Sequence, residues 1–144
     1  MSQNPVPPRW PLLSLRVCAA LVALLAAAQP FLAGGFLQGY YPLLDAHLMA
    51  AMFLATVVLL AVLAAVLTWR FAGGPVRFTV TFGVLLVSCV AQISLGFERA
   101  LLLHIPLGVG IFVMAEKFAV DVFTFKPGSA TPSAKPAETA EVRA

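Results

Sequence analysis

Four long apolar stretches dominate this chain of 144 residues. The hydrocarbon core of a bilayer is about 30 Å thick, and a helix needs about 20 apolar residues to cross it. The sequence offers such stretches over about 17–37, 43–69, 78–96 and 100–123. None of them alternates polar and apolar residues as membrane strands do. The pattern predicts an all-α integral membrane protein, a four-transmembrane-helix up-down bundle.

The composition excludes several classes of protein. Hydrophobic residues make up 61% of the chain and charged residues 10%, whereas a soluble domain carries about 25% charged residues. A soluble enzyme is therefore excluded, because the chain cannot cover a water-facing surface. The nine Lys and Arg residues are too scattered to follow a phosphate backbone, so we expect no nucleic-acid partner. Two cysteines do not make a disulfide scaffold.

The charged residues predict how the chain lies in the membrane. All Lys and Arg residues except Arg99 fall at the two termini, in the connection around 70–77 or near the end of the fourth stretch. By the positive-inside rule both termini are cytoplasmic. We expect a cytoplasmic N-terminal segment over 1–16, a membrane domain over 17–123 and a disordered cytoplasmic tail over 124–144. The Ala-, Leu- and Val-rich composition is typical of a multi-pass protein of a bacterial cytoplasmic (plasma) membrane.

The chain also contains a weak internal repeat. Gln29 lies near the end of the first apolar stretch and His47 near the start of the second. Gln92 and His104 occupy the matching places in the third and fourth stretches, and the chain has no other histidine. This spacing predicts that the bundle is built from two similar hairpins.

The depth of the two histidines is also matched. His47 follows Pro42 by five residues and His104 follows Arg99 by five, so each lies about 7–8 Å along its helix at 1.5 Å per residue. The second and fourth helices of an up-down bundle are diagonal neighbours. We therefore expect the two imidazoles to face each other across the bundle.

Two opposed imidazoles among small apolar residues predict haem b with His47 and His104 as axial iron ligands. Gln29, Gln92 or a backbone carbonyl can orient the imidazole N–H groups, and Arg99 is the cation on that side for the propionates. Zinc would need more ligands than two histidines. Two other interpretations stay open, namely polar contacts between helices and another ligand such as a quinone.

The second hairpin carries a family pattern. Gln92-Ile93-Ser94-Leu95-Gly96, followed by His104, resembles the Gln-x-x-Leu-Gly…His pattern of the haem A synthase family. Members of that family resemble two four-helix halves fused in one chain. The present chain resembles one such half over about 17–115. It also resembles small bacterial four-helix membrane proteins with the same Gln…His spacing. The resemblance implies His47 and His104 as axial ligands with Gln29 and Gln92 in support. With one half and no cysteine over 36–42, oxidation of a haem methyl group is not expected.

Three functions follow as hypotheses. The first is a small membrane b-type cytochrome for electron transfer or for redox or gas sensing. The second is a non-catalytic accessory subunit of a larger respiratory complex with structural histidines, and the third is a haem carrier or assembly factor. Each favours an electron carrier or subunit over a stand-alone enzyme. The partners would be the lipid bilayer, respiratory-complex subunits, a quinone or a second copy of the chain.

Overall fold

The structure, a computed structural model, describes residues 8–127, and within that range the only regular elements are four helices. In chain order they are α1 (Trp10–Leu37), α2 (Pro42–Phe71), α3 (Arg77–Phe97) and α4 (Leu101–Thr124). Each is long and apolar enough to cross a bilayer. The predicted all-α, four-helix membrane bundle is therefore confirmed.

The helices pack as a square. α1 lies against α2 and α4, and α3 lies against the same two helices. Within the described part of the chain, the backbones of the diagonal pairs α1–α3 and α2–α4 do not approach each other closely. This is the arrangement of an up-down bundle. Side chains from α2 and α4 can therefore meet only across the centre of the square.

The turns that close the two hairpins share one backbone motif. Gly39 follows α1 with φ 97°, and Arg99 follows α3 with φ 55°. In both turns the next backbone N–H donates to the carbonyl five residues earlier, at 3.2 Å after α1 and 3.0 Å after α3. A left-handed residue with this bond is the Schellman ending of a helix. The two hairpins are thus alike in their turns as well as in their sequence pattern.

The packed core occupies one end of the bundle. We call this the basic end, since α1 begins and α4 ends there beside Arg9, Arg16, Arg70, Arg77 and Lys126. The opposite end, which carries both histidines, we call the histidine end. Among the described residues, none over 27–53 and none over 90–110 is buried. The largest fully buried side chains include Leu15, Val22, Val58, Phe82, Leu85 and Val122.

The first helix starts earlier than predicted. The sequence placed the first apolar stretch at about 17–37, whereas α1 begins at Trp10. Pro11 lies in the first turn, where proline needs no hydrogen-bond partner and favours helix entry. Arg16 does not end the helix, because its Nη2 donates to the backbone carbonyl of Phe125 at 3.0 Å.

The other three helices begin and end within two residues of the predicted bounds. The predicted tail starts at 124, the last residue of α4, and Phe125 continues in an extended conformation. Most of that tail, like residues 1–7, lies outside the described residues.

Candidate functional site

The two histidines meet at the centre of the histidine end. His47 comes from α2 and His104 from α4, so each projects from one of two diagonal helices. Their ring centroids are 6.3 Å apart, and the ring planes are inclined by 58°. Both side chains are partly buried. The structure therefore brings together two imidazoles that are 57 positions apart in the sequence.

Each imidazole is anchored within its own hairpin by the same kind of bond. His47 Nδ1 lies 3.3 Å from the backbone carbonyl oxygen of Gln29, and His104 Nδ1 lies 3.0 Å from that of Gln92. A carbonyl oxygen only accepts, so Nδ1 must be the donor in both bonds. This leaves the lone pair on Nε2. It is the tautomer in which a histidine binds a metal through Nε2.

Glycines let the second hairpin pack tightly around its histidine. A Cβ atom on Gly96 would lie 3.0 Å from Cε1 and 3.3 Å from Nδ1 of His104. A Cβ atom on Gly108 would lie 2.8 Å from Nε2 of Gln92. Gly96 follows Gln92 by four residues, so its missing side chain opens the path to the Gln92 carbonyl. Ala33 occupies the matching place after Gln29, and the bond there is the longer of the two.

The amide groups of the two glutamines do not bond the imidazoles. Within residues 8–127, Nε2 of Gln29 and Oε1 of Gln92 are buried and have no hydrogen-bond partner. The partners of the histidines are the backbone carbonyls of these residues, the second of the two arrangements expected from the sequence. An unsatisfied buried polar atom costs about 1–3 kcal/mol. The site therefore contains one donor, Gln29 Nε2, and one acceptor, Gln92 Oε1, that could form hydrogen bonds with a bound ligand.

Arg99 lies in the turn that precedes α4, five residues before His104. It is exposed, and its guanidinium forms no ion pair within the part of the chain that the structure describes. Its φ of 55° is a conformation in which a residue with a Cβ atom costs about 1–2 kcal/mol. This cost belongs to the helix ending that Arg99 shares with Gly39 in the first hairpin.

The separation of the two rings is compatible with a metal ion held between them. An imidazole nitrogen bound to a metal ion lies about 2.0 Å from it, so the ring centroid lies about 3.1 Å away and two opposed rings are separated by about 6.2 Å. The observed centroids are 6.3 Å apart. Among the described residues there is no cluster of three or more His, Cys, Asp or Glu side chains. Two nitrogen donors are too few for a zinc site, but His47 and His104 are the two residues that would hold a haem iron here.

The packing of this end also suits a flat ligand. All four helices are present at the level of the histidines, yet none of the described residues there is buried. Side chains at this level include Ala33, Ala50, Ala51 and Gly108. Small side chains at helix interfaces leave room between helices, so a flat ligand placed there would bury side chains that the chain alone leaves partly exposed.

Comparison with protein-family models, with curated proteins and with solved structures finds no match to this chain. The resemblance to haem A synthases therefore stays a prediction. Sequence reasoning did not give Gly96 and Gly108 a role in holding these side chains. The spacing of these glycines could have indicated that role. Gly96 lies four residues after Gln92 and Gly108 four residues after His104, so each glycine shares a helix face with the polar residue before it.

Proposed function

We propose that this protein is a small membrane b-type cytochrome that carries single electrons. His47 and His104 would hold haem b through their Nε2 atoms. The observation that supports this most directly is the centroid distance of 6.3 Å between two imidazoles on diagonal helices. The two matched Nδ1 bonds, which leave Nε2 available in both rings, add a second line of support.

The residues of the chain would perform three tasks at the site. The Gln29 and Gln92 carbonyls fix the tautomer and the orientation of the imidazoles, which makes the nitrogens better ligands. The surrounding apolar side chains would contact the faces of a bound haem. Arg99 supplies a cation at the same end of the bundle, where the propionates of a haem would need a counter-charge. Haem iron with two histidine ligands exchanges one electron between its ferrous and ferric states.

Electron transfer is favoured over reaction with oxygen, because His47 and His104 would both bind the iron and leave no position for oxygen. The basic end is proposed to face the cytoplasm by the positive-inside rule. The haem would then lie toward the outer face of a bacterial plasma membrane. Its electron partners would be a membrane quinone or the subunits of a respiratory complex. A haem carrier would use the same two ligands but release the haem to a partner.

The test is the absorption spectrum of the full chain purified in detergent and reconstituted with haemin. We expect a Soret band and, on reduction with dithionite, the sharp split visible bands of low-spin haem. His47→Ala and His104→Ala should each remove the low-spin spectrum. Added imidazole should restore it, because free imidazole can occupy the vacated axial position.

Thr56→Ala provides the matched control, since its exposed hydroxyl bonds only its own helix and should leave the spectrum unchanged. An unchanged spectrum in both histidine variants would refute axial ligation. A colourless wild-type protein that nevertheless folds would overturn the proposal and favour a structural subunit in which the histidines only connect helices.

A further inference from the structure

A concave site lies at the basic end, between the start of α3 and the end of α4. It is a cleft of about 260 Å³ lined by Arg77, Asp121, Thr124, Phe125 and Lys126. None of these residues belongs to the histidine site, which lies at the opposite end of the bundle. The cleft therefore needs an explanation of its own.

The charge of the cleft is positive. Its carboxylate, Asp121, accepts a hydrogen bond from Lys117 at 2.5 Å, so a cation one turn away already balances that charge. Arg77 and Lys126 also line the cleft, so three cations stand against the single carboxylate of Asp121 when Lys117 is included. α3 begins at Arg77 without an acidic residue in its first turn and without a side-chain cap. The free N–H groups of a helix start add partial positive charge, and the whole cleft is suited to an anion.

The wall of the cleft is held in place by aromatic and polar contacts. The guanidinium of Arg77 lies 5.5 Å from the centroid of the Phe78 ring. The Phe78 and Phe125 rings meet edge to face at 5.5 Å. Arg16 donates from Nη2 to the Phe125 carbonyl, while its Nε is buried and has no partner within residues 8–127. Arg77 is thus positioned beside two aromatic rings, and one buried donor, Arg16 Nε, remains without a partner among the described residues.

The position of the cleft indicates which anion it takes. It lies where α3 begins and α4 ends, and because both helices are long and apolar enough to cross a bilayer, the cleft would face the lipid headgroups. Farther into the bundle the same two helices expose Val80, Val120 and Phe123, which offer contacts for acyl chains. Basic pockets between transmembrane helices bind acidic headgroups. We propose that this cleft binds the phosphate of an anionic phospholipid, independently of any haem at the histidine end.

Native mass spectrometry of the full chain in neutral detergent can count the bound lipids. The protein is titrated with phosphatidylglycerol in the presence of excess phosphatidylcholine. We expect one phosphatidylglycerol to bind in preference, and Arg77→Gln to weaken this binding about fivefold, the effect of one basic residue near a membrane surface. Lys126→Gln serves as a second variant, because it lies beyond the end of α4 and does not disturb a helix.

Arg70→Gln is the matched control. It removes a cation from the same end of the bundle, but Arg70 lies over the Trp69 ring at 5.6 Å and does not line the cleft. Loss of preference in the two cleft variants alone supports the proposal. Equal losses in all three variants would overturn it in favour of general surface charge. Displacement of the lipid by millimolar inorganic phosphate would overturn the lipid assignment and indicate that the cleft binds a free phosphate ion. Equal binding of both lipids by the wild type would also overturn the proposal.

Discussion

The contact between Gly96 and His104 allows the proposed haem site to be tested without removing a ligand. In Gly96→Ala, the new Cβ atom would lie 3.0 Å from Cε1 and 3.3 Å from Nδ1 of the imidazole. The ring must then move by a few tenths of an ångström away from the Gln92 carbonyl, to which it is now bonded at 3.0 Å. A neutral hydrogen bond contributes about 1 kcal/mol, or about fivefold in an affinity. Loss of the partner that orients a metal-bound histidine lowers metal affinity about 10–100-fold.

We therefore expect Gly96→Ala to weaken haem binding about tenfold, measured by titrating the detergent-solubilised apoprotein with haemin at the Soret band. The helix itself should gain about 1 kcal/mol, because alanine is the better helix former. Gly83→Ala is the control on the same helix, since a Cβ atom there meets nothing within 4 Å. Equal haem affinity in the two variants would refute the reasoning that the Gly96 contact positions the imidazole.

Three further substitutions test the packing and the turns. Arg99→Gly should stabilise the fold by about 1 kcal/mol, because it removes a side chain from a left-handed position; a lower thermal midpoint would contradict this. Phe82→Ala should cost roughly 3–5 kcal/mol in an unfolding titration with dodecyl sulfate, because the ring is fully buried and meets Phe118 edge to face at 5.7 Å; a loss below about 1 kcal/mol would show that this core is loosely packed. Gly74→Ala should cost about 1–3 kcal/mol in the same titration, since its Cβ atom would lie 2.6 Å from Cγ2 of Thr68; unchanged stability would show that the turn yields easily.

The helices could be predicted because a helix must be long and apolar to cross a bilayer, and apolar runs of sufficient length are visible in the sequence. The start of α1 could not be predicted in the same way. Arg16 marks a charge in the sequence, but the carbonyl that satisfies it belongs to Phe125, which lies 109 residues away. Only the packed bundle shows that this arginine is compatible with a continuing helix.

For the candidate site, the placement of the two histidines could be predicted from the sequence, but their hydrogen-bond partners could not. Helical periodicity and the repeat were sufficient to expect His47 and His104 at one level on diagonal helices. The hydrogen-bond partners were left open between the glutamine side chains and a backbone carbonyl. That choice depends on the closeness of the helices, which at His104 depends on the missing side chain of Gly96. The binding of haem is a prediction from both sequence and geometry, and the spectra described above test it.

The uneven packing of the bundle determines which part of the protein unfolds locally at the lowest free-energy cost. Residues that lack buried contacts are the ones whose local unfolding costs least. In this bundle they form the histidine end, while the tightly packed basic end keeps the four helices together. A ligand arriving from the side of the histidines can therefore enter through a local separation of the helix tips, without dismantling the fold. A ligand bound there would stabilise the end that was weakest, so on addition of haemin amide exchange near His47 and His104 should slow far more than exchange near Val22 or Phe82.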